Sequence, residues 1–330
     1  MEMKRKIIFF LLISAFSLAA QQKYVKKEIP HDTSFTLSNT AVKVHKDFPF
    51  AELVISKLPE RITEETNIIY TSYGERKLHL DIFSVARKEK TLYPGVILIH
   101  GGGWRSGDRS MEIPMAHFLA KNGYVTATVE YRLSPEALYP AAIYDLKVAI
   151  KWMRANALKY NINKSKIAVY GCSSGGQLAA LVGTTNGILK FEGEKEYQNY
   201  SSDVQAVVDI DGVLDMTDPN ESGKDIDPNK PSAAKQWLGV SYRDNPDLWK
   251  EASAINHVDK KSAPILFINS SLPRFHSGRD EMIEKMNKLN IYSEVHTIPN
   301  TPHQFWLFHP WFDETANYIL KFLDKILKEE

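Results

Sequence analysis

The sequence predicts an α/β architecture, a mostly parallel sheet covered by helices on both faces, and three observations carry that expectation. From about residue 67 to the C-terminal end, short apolar runs alternate with segments of helical periodicity. No internal repeat or low-complexity tract breaks the alternation. With 330 residues and 43% hydrophobic content, the chain has enough apolar material to bury a full core.

The strand-like runs are, in order, LHLDIF (78–83), GVILIH (95–100), YVTATVEY (124–131), KIAVYG (166–171), VQAVVDID (204–211), PILFIN (264–269) and IYSEVHTI (291–298). Between and after them come MAHFLAKN, AAIYDLKVAIKWMRANA, GGQLAALVG, DEMIEKMNKL and ETANYILKFLDKIL, whose apolar residues recur at helical spacing. Such alternation implies a mostly parallel sheet, because a parallel connection needs a crossover of helical length. Two polar stretches, 186–203 and 216–236, interrupt the pattern and are expected to form lid or rim loops. Residues 21–66 are polar and irregular and are expected to be an N-terminal extension packing on the sheet of the 67–330 domain.

The first 20 residues differ from the rest. Lys4, Arg5 and Lys6 precede the apolar run IIFFLLISAF, and the small residues Ser17, Ala19 and Ala20 follow. This is the pattern of a secretory signal peptide, and the run is shorter than the roughly 20 residues that span a bilayer. Residues 1–20 are therefore read as a signal peptide and the protein as exported, to the periplasm or beyond. The single cysteine, Cys172, permits no internal disulfide, so an exported chain of this kind relies on its core. With 41 basic against 40 acidic residues, there is no charge surplus of the kind that binds nucleic acid, and no membrane association is expected once the signal is removed.

Chemistry concentrates in a few places. YGCSSGG (170–176) lies between a strand and a helix and contains G-x-S-x-G centred on Ser173. A serine hydroxyl is a poor nucleophile, so it must stand on a tight turn beside a base, and flanking glycines allow that turn. HGGGW (100–104) closes an earlier strand, and three consecutive glycines leave backbone N–H groups free to face an oxyanion, together with that of the residue after the serine, Ser174. His303 falls in a loop between the last strand and the terminal helix, where the chain order Ser, acid, His places a base. His296 sits inside a strand pattern and His309 follows the loop, so both suit the role less well.

HGGGW, EYRLSPEALYPAAIYDLKVAIKW, YGCSSGGQLAAL and the late PHQFW together resemble the α/β-hydrolase fold, specifically the bacterial bifunctional acetyl/feruloyl esterase branch of carbohydrate esterases, over about residues 67–327. The resemblance implies an eight-stranded, mostly parallel sheet with lid-like insertions. It also implies Ser173 as nucleophile, His303 as base, and Gly102, Gly103 and Ser174 as oxyanion donors. In that branch the penultimate strand is followed by H-G-x-x-D, whose Asp orients the histidine. Here Ile268 and Asn269 stand where His-Gly is expected, and Leu272 where the Asp is expected. Asp280, the next carboxylate downstream, is taken as the acid, with Asp215 as competitor and a Ser-His pair without acid as a further possibility.

Arg274 and Arg279 are read as a fork for substrate carboxylates, and Trp104 as an aromatic facing sugar. No metal-ligating spacing and no nucleotide fingerprint occur, so neither metal nor cofactor is expected. The resulting expectation is a serine esterase that removes acetyl groups from a polysaccharide or oligosaccharide, pectin ahead of xylan on account of the Arg-rich loop. The alternatives are a feruloyl esterase or another small-ester or amide hydrolase, and a non-catalytic polysaccharide-binding protein on a hydrolase scaffold.

Overall fold

All seven expected strands form, and with one further strand they make a single eight-stranded sheet: β1 (Ile62–Tyr73), β2 (Arg76–Val85), β3 (Tyr93–Ile99), β4 (Val125–Val129), β5 (Ile162–Cys172), β6 (Ala206–Ile210), β7 (Ile265–Ser270) and β8 (Ser293–Ile298). The computed structural model describes residues 32–86, 91–134, 136–193, 196–223 and 231–329. The expected signal peptide lies outside these residues.

The strand order is β1-β2-β4-β3-β5-β6-β7-β8. β1, β2 and β4 pair antiparallel, and every pairing from β4 through β3 to β8 is parallel. Parallel strands need long returns, and helices supply them: α2 (Ile113–Lys121) lies between β3 and β4, α3 (Ala141–Ala155) between β4 and β5, α4 (Ser174–Thr184) between β5 and β6, and α5 (Arg279–Lys288) between β7 and β8, while α6 (Trp311–Leu327) closes the chain.

Alternate residues of the central strands enter two separate cores, as the period of two requires. Ile97 and Ile99 of β3, Ile167 and Val169 of β5, and Phe267 of β7 join one core with α3, α4 and the buried Met282 and Met286 of α5. Val96, Leu98, Ala168, Tyr170 and Ile268 join the other with α2 and α6. The sheet is thus covered on both faces, which is why its central strands carry unbroken apolar runs, such as 96–99 of β3 and 167–170 of β5, instead of alternating with polar residues.

β1 was not foreseen as a strand. Its sequence, ITEETNIIYTSY, is polar because it is an edge strand with most of its residues partly or fully exposed. The expected boundary between residues 66 and 67 falls inside it. The N-terminal extension is also less irregular than its composition implied. It contains helix α1 (Leu37–Asp47), started by the Thr36 side chain accepting from the Asn39 N–H. The pair Glu52–Leu53 then bonds antiparallel to Phe308–His309, just past the loop that holds His303.

Candidate active site

The turn after β5 is set by close backbone approach. Ser173 sits at φ 56° and ψ −121°, a left-handed conformation unusual for a residue with a side chain, and α4 begins at the next residue. A Cβ on Gly171 would lie 1.9 Å from the Gly175 carbonyl oxygen, and one on Gly175 would lie 2.3 Å from that of Ile99. Both glycines of G-x-S-x-G are therefore demanded by space, and the Ser173 N–H is tied to the Ile210 carbonyl at 2.7 Å.

His303 lies where the sequence placed it, in the loop between β8 and α6. Its Nε2 is 2.9 Å from Ser173 Oγ, and its Nδ1 is 2.9 Å from Asp211 Oδ2. The three residues lie far apart in the chain and meet because β5 and β6 are neighbours in the sheet and end side by side. Asp211 follows β6 and is fully buried. Its N–H donates to the Ile268 carbonyl at 3.0 Å, and its Oδ1 accepts from the Ser270 N–H at 2.8 Å, so β7 fixes the carboxylate from one side while His303 holds it from the other.

The expectation that Asp280 meets the histidine is therefore corrected. Asp280 is mostly exposed in the first turn of α5 and pairs with Arg279 at 2.8 Å, a hydrogen bond that holds its carboxyl below the usual range. Asp215 does not reach the histidine either: its Oδ1 accepts from the Thr217 N–H and hydroxyl at 2.9 and 2.7 Å, closing a local turn. Sequence reasoning read VQAVVDID as a strand and looked past its final residue. The available signal was an Asp followed by Gly212 at a strand end, upstream of His303 and downstream of Ser173.

Gly102 (φ 126°) and Gly103 (φ 61°) occupy backbone conformations open chiefly to glycine, and the Gly102 carbonyl accepts from the Arg105 and Ser106 N–H groups, folding the loop into a turn. Both glycines and Ser174 line the same cavity as Ser173, Asp211 and His303. This cavity has a volume of about 450 Å³. Its wall includes Ser34, Phe35 and Lys43 from the extension, which the sequence reading did not connect with the site. Asp32 accounts for part of this placement, bridging to Ser106 and lying 3.5 Å from Arg105.

The expected substrate contacts fare differently. Trp104 borders the cavity but is only 4% exposed, and its indole lies flat on Trp237 with centroids 4.8 Å apart. Its Nε1–H donates to Gln177 of α4 at 3.0 Å, so it braces the glycine loop against the helix that follows the serine and is not an open platform for sugar. Arg274 lines the cavity and is bonded to the buried Glu221 through both Nε and Nη2. Arg279 does not line it: Nη1 donates to Asn269 Oδ1 at 2.9 Å and Nε to Asp280. Of the two polar stretches, 216–236 supplies Ala233 to the cavity wall, whereas the described residues of 186–203 supply nothing to it. Glu192, in the latter, instead pairs with both Lys147 and Lys151 of α3.

Beneath the turn lies a set of buried acids. Burial pushes the carboxyls of Glu112 and Asp209 up to about 8 and raises the Cys172 thiol, so near neutrality these groups hold their protons. Cys172 is accordingly a packing residue on the sheet side of the serine. Among the described residues, no group of three His, Cys, Asp or Glu side chains is gathered to hold a metal ion.

With this geometry in hand, comparison with known proteins adds kinship. The BD-FAE family model matches residues 80–287. Esterase LipC of Mycobacterium tuberculosis is 32% identical over 181 residues, 54% of this chain and 44% of LipC. The chain spans about half the length of the curated relatives it matches. A truncated carbohydrate esterase from gut microbiota superposes with a TM-score of 0.66 at 27% identity, over 80% of this chain and 96% of that one. A bifunctional GH43-CE protein of Bacteroides eggerthii gives 0.67 at 27% identity, over 79% of this chain and 38% of its own. The fold is that of the α/β-hydrolases.

Proposed function

This chain belongs to the BD-FAE family, and from that premise we propose that it is an exported serine esterase that removes acetyl groups from a plant cell-wall polysaccharide. The observation that carries the reading is the unbroken line Ser173–His303–Asp211, with both contacts at 2.9 Å, beside two glycines in left-handed conformations.

In this reading Ser173 Oγ attacks the ester carbonyl while His303 Nε2 takes its proton, and Asp211 holds the ring through Nδ1–H and balances the imidazolium. The carbonyl oxygen, now anionic, is received by the N–H groups of Gly102, Gly103 and Ser174, and the positive end of α4 points the same way. His303 then gives its proton to the departing sugar hydroxyl. Water, activated by the same histidine, releases acetate and restores the serine.

Carbohydrate esterase relatives support a sugar ester as substrate. Lys43 on the cavity wall supports an acidic polymer, pectin ahead of xylan, and Arg274 borders the same wall with its guanidinium already paired to Glu221. A feruloyl ester is the second reading, favoured by the aromatic rings of Phe35, Phe275 and Trp306 on the same wall. An assembled triad argues for catalysis over a binding module that keeps only the scaffold.

The test is labelling by a fluorophosphonate probe, alongside turnover of acetylated pectin, acetylated xylan and methyl ferulate. Wild-type protein should label and Ser173→Ala should neither label nor turn over ester, with an unchanged Tm. Unlabelled wild type would replace the enzyme reading with the binding one. Exported material should begin near Ala20 or Gln21 by intact mass.

A further inference from the structure

The loop after β7, which in the resembled esterases carries the acid, carries an aromatic ring here. Phe275 is buried, and its ring lies on the His303 imidazole with centroids 3.8 Å apart and planes 4° from parallel. Trp306 meets the same imidazole edge-on at 5.2 Å. From this we infer that Phe275 is a positioning residue for His303, clamping the imidazole in the plane that joins Ser173 to Asp211. The inference rests on the serine-esterase reading for its catalytic consequence, though not for its geometry.

Two neutral rings with matching quadrupoles avoid a directly overlaid sandwich and prefer an offset or an edge contact. An imidazolium over a phenyl face is attracted instead, as any cation within about 6 Å of the centroid is. The stack therefore gains strength when the histidine takes the serine proton, so it stabilises the transition state more than the resting enzyme.

The ring is held there deliberately. The Phe275 backbone carbonyl accepts from Asn269 Nδ2 at 2.9 Å, and the same Nδ2 lies 3.5 Å from Asp211 Oδ1. Asn269 is in turn fixed by Arg279 through its Oδ1. One amide thus ties the clamp to the acid, and Arg279, expected to bind substrate, anchors that amide. Arg274, whose guanidinium carbon lies 5.0 Å from the Phe275 ring, does not oppose the imidazolium with a full charge because Glu221 neutralises it.

Phe275→Leu keeps an apolar side chain of similar bulk but no flat face, and Phe275→Tyr keeps the face. Each is compared with wild type by Tm, by kcat and KM on p-nitrophenyl acetate, and by the downfield proton NMR signal of His303 Nδ1–H against Asp211, assigned by its loss in His303→Gln. Phe275→Leu should hold its Tm and KM, lower kcat by about 10- to 100-fold, the loss typical of a misplaced catalytic group, and broaden the signal through exchange. Phe275→Tyr should restore both. A Phe275→Leu protein with wild-type kcat and a sharp signal overturns the clamp, and so does a raised KM with unchanged kcat, which makes Phe275 a substrate wall. A wild type that no fluorophosphonate labels, but whose signal still broadens in Phe275→Leu, removes the esterase reading and leaves the clamp standing.

Discussion

Replacing Asp211 by Asn is the sharpest test of the site, because the surroundings dictate what the new amide must do. The Oδ1 position already accepts from the Ser270 N–H at 2.8 Å, so the Asn oxygen takes that place and its NH₂ faces His303 Nδ1. Nδ1 must then accept, which puts the ring proton on Nε2, and Nε2 can no longer take the proton of Ser173. The imidazolium also loses its counter-charge. Two unit charges about 4 Å apart interact by about 4 kcal/mol at an effective dielectric of 20, or roughly three powers of ten in rate. With the tautomer penalty added, kcat for p-nitrophenyl acetate should fall by about 10³- to 10⁴-fold with little change in KM. Asp280→Asn should stay within about twofold of wild type, since it breaks only one exposed ion pair of small worth. Stopped assays at saturating substrate, with Tm as a folding control, decide the matter. An Asp211→Asn enzyme keeping a tenth of wild-type kcat, or an equal loss in Asp280→Asn, refutes the assignment.

Two further outcomes follow from the surroundings of the site. Glu112 and Asp209 titrate near 8 in the folded protein and near 4 when unfolded, so between those values the native state holds the extra protons. Their contribution is complete below about pH 4 and is lost as pH rises through about 8, at a rate of up to about 1.4 kcal/mol per pH unit for each group. Tm should fall across this window, and Glu112→Gln should flatten the fall; an unchanged slope would contradict the burial argument. Arg274→Gln should raise KM on acetylated pectin by about tenfold, the worth of one charged hydrogen bond, and leave KM for p-nitrophenyl acetate unaltered. Equal rises on both substrates would make the Arg274–Glu221 pair a loop tie instead of a substrate contact.

What could be read from the chain itself was whatever is decided within a few residues. The strand runs and helical periods were legible because a sheet covered on both faces requires continuous apolar runs, such as 96–99 of β3, 167–170 of β5 and 265–268 of β7. The Ser173 turn was legible because the glycines that permit it lie two residues to either side. β1 and α1 escaped because an edge strand and a surface helix carry too little buried apolar pattern to stand out, even though the extension forms part of the cavity wall.

The acid was not singled out by its neighbours. Asp211 and Asp215 both follow the apolar run of β6 and Asp280 stands in the first turn of α5, and only pairing between β5, β6 and β7 decides which one lies 2.9 Å from His303. The same holds for the charged loop after β7. Its arginines point to substrate when read as sequence, whereas in the fold Arg279 holds Asn269, Arg274 holds Glu221, and Phe275 between them faces the histidine. Chemistry was legible where a residue's own neighbours restrict its backbone, and tertiary structure decided it where identical groups compete for one partner across the sheet.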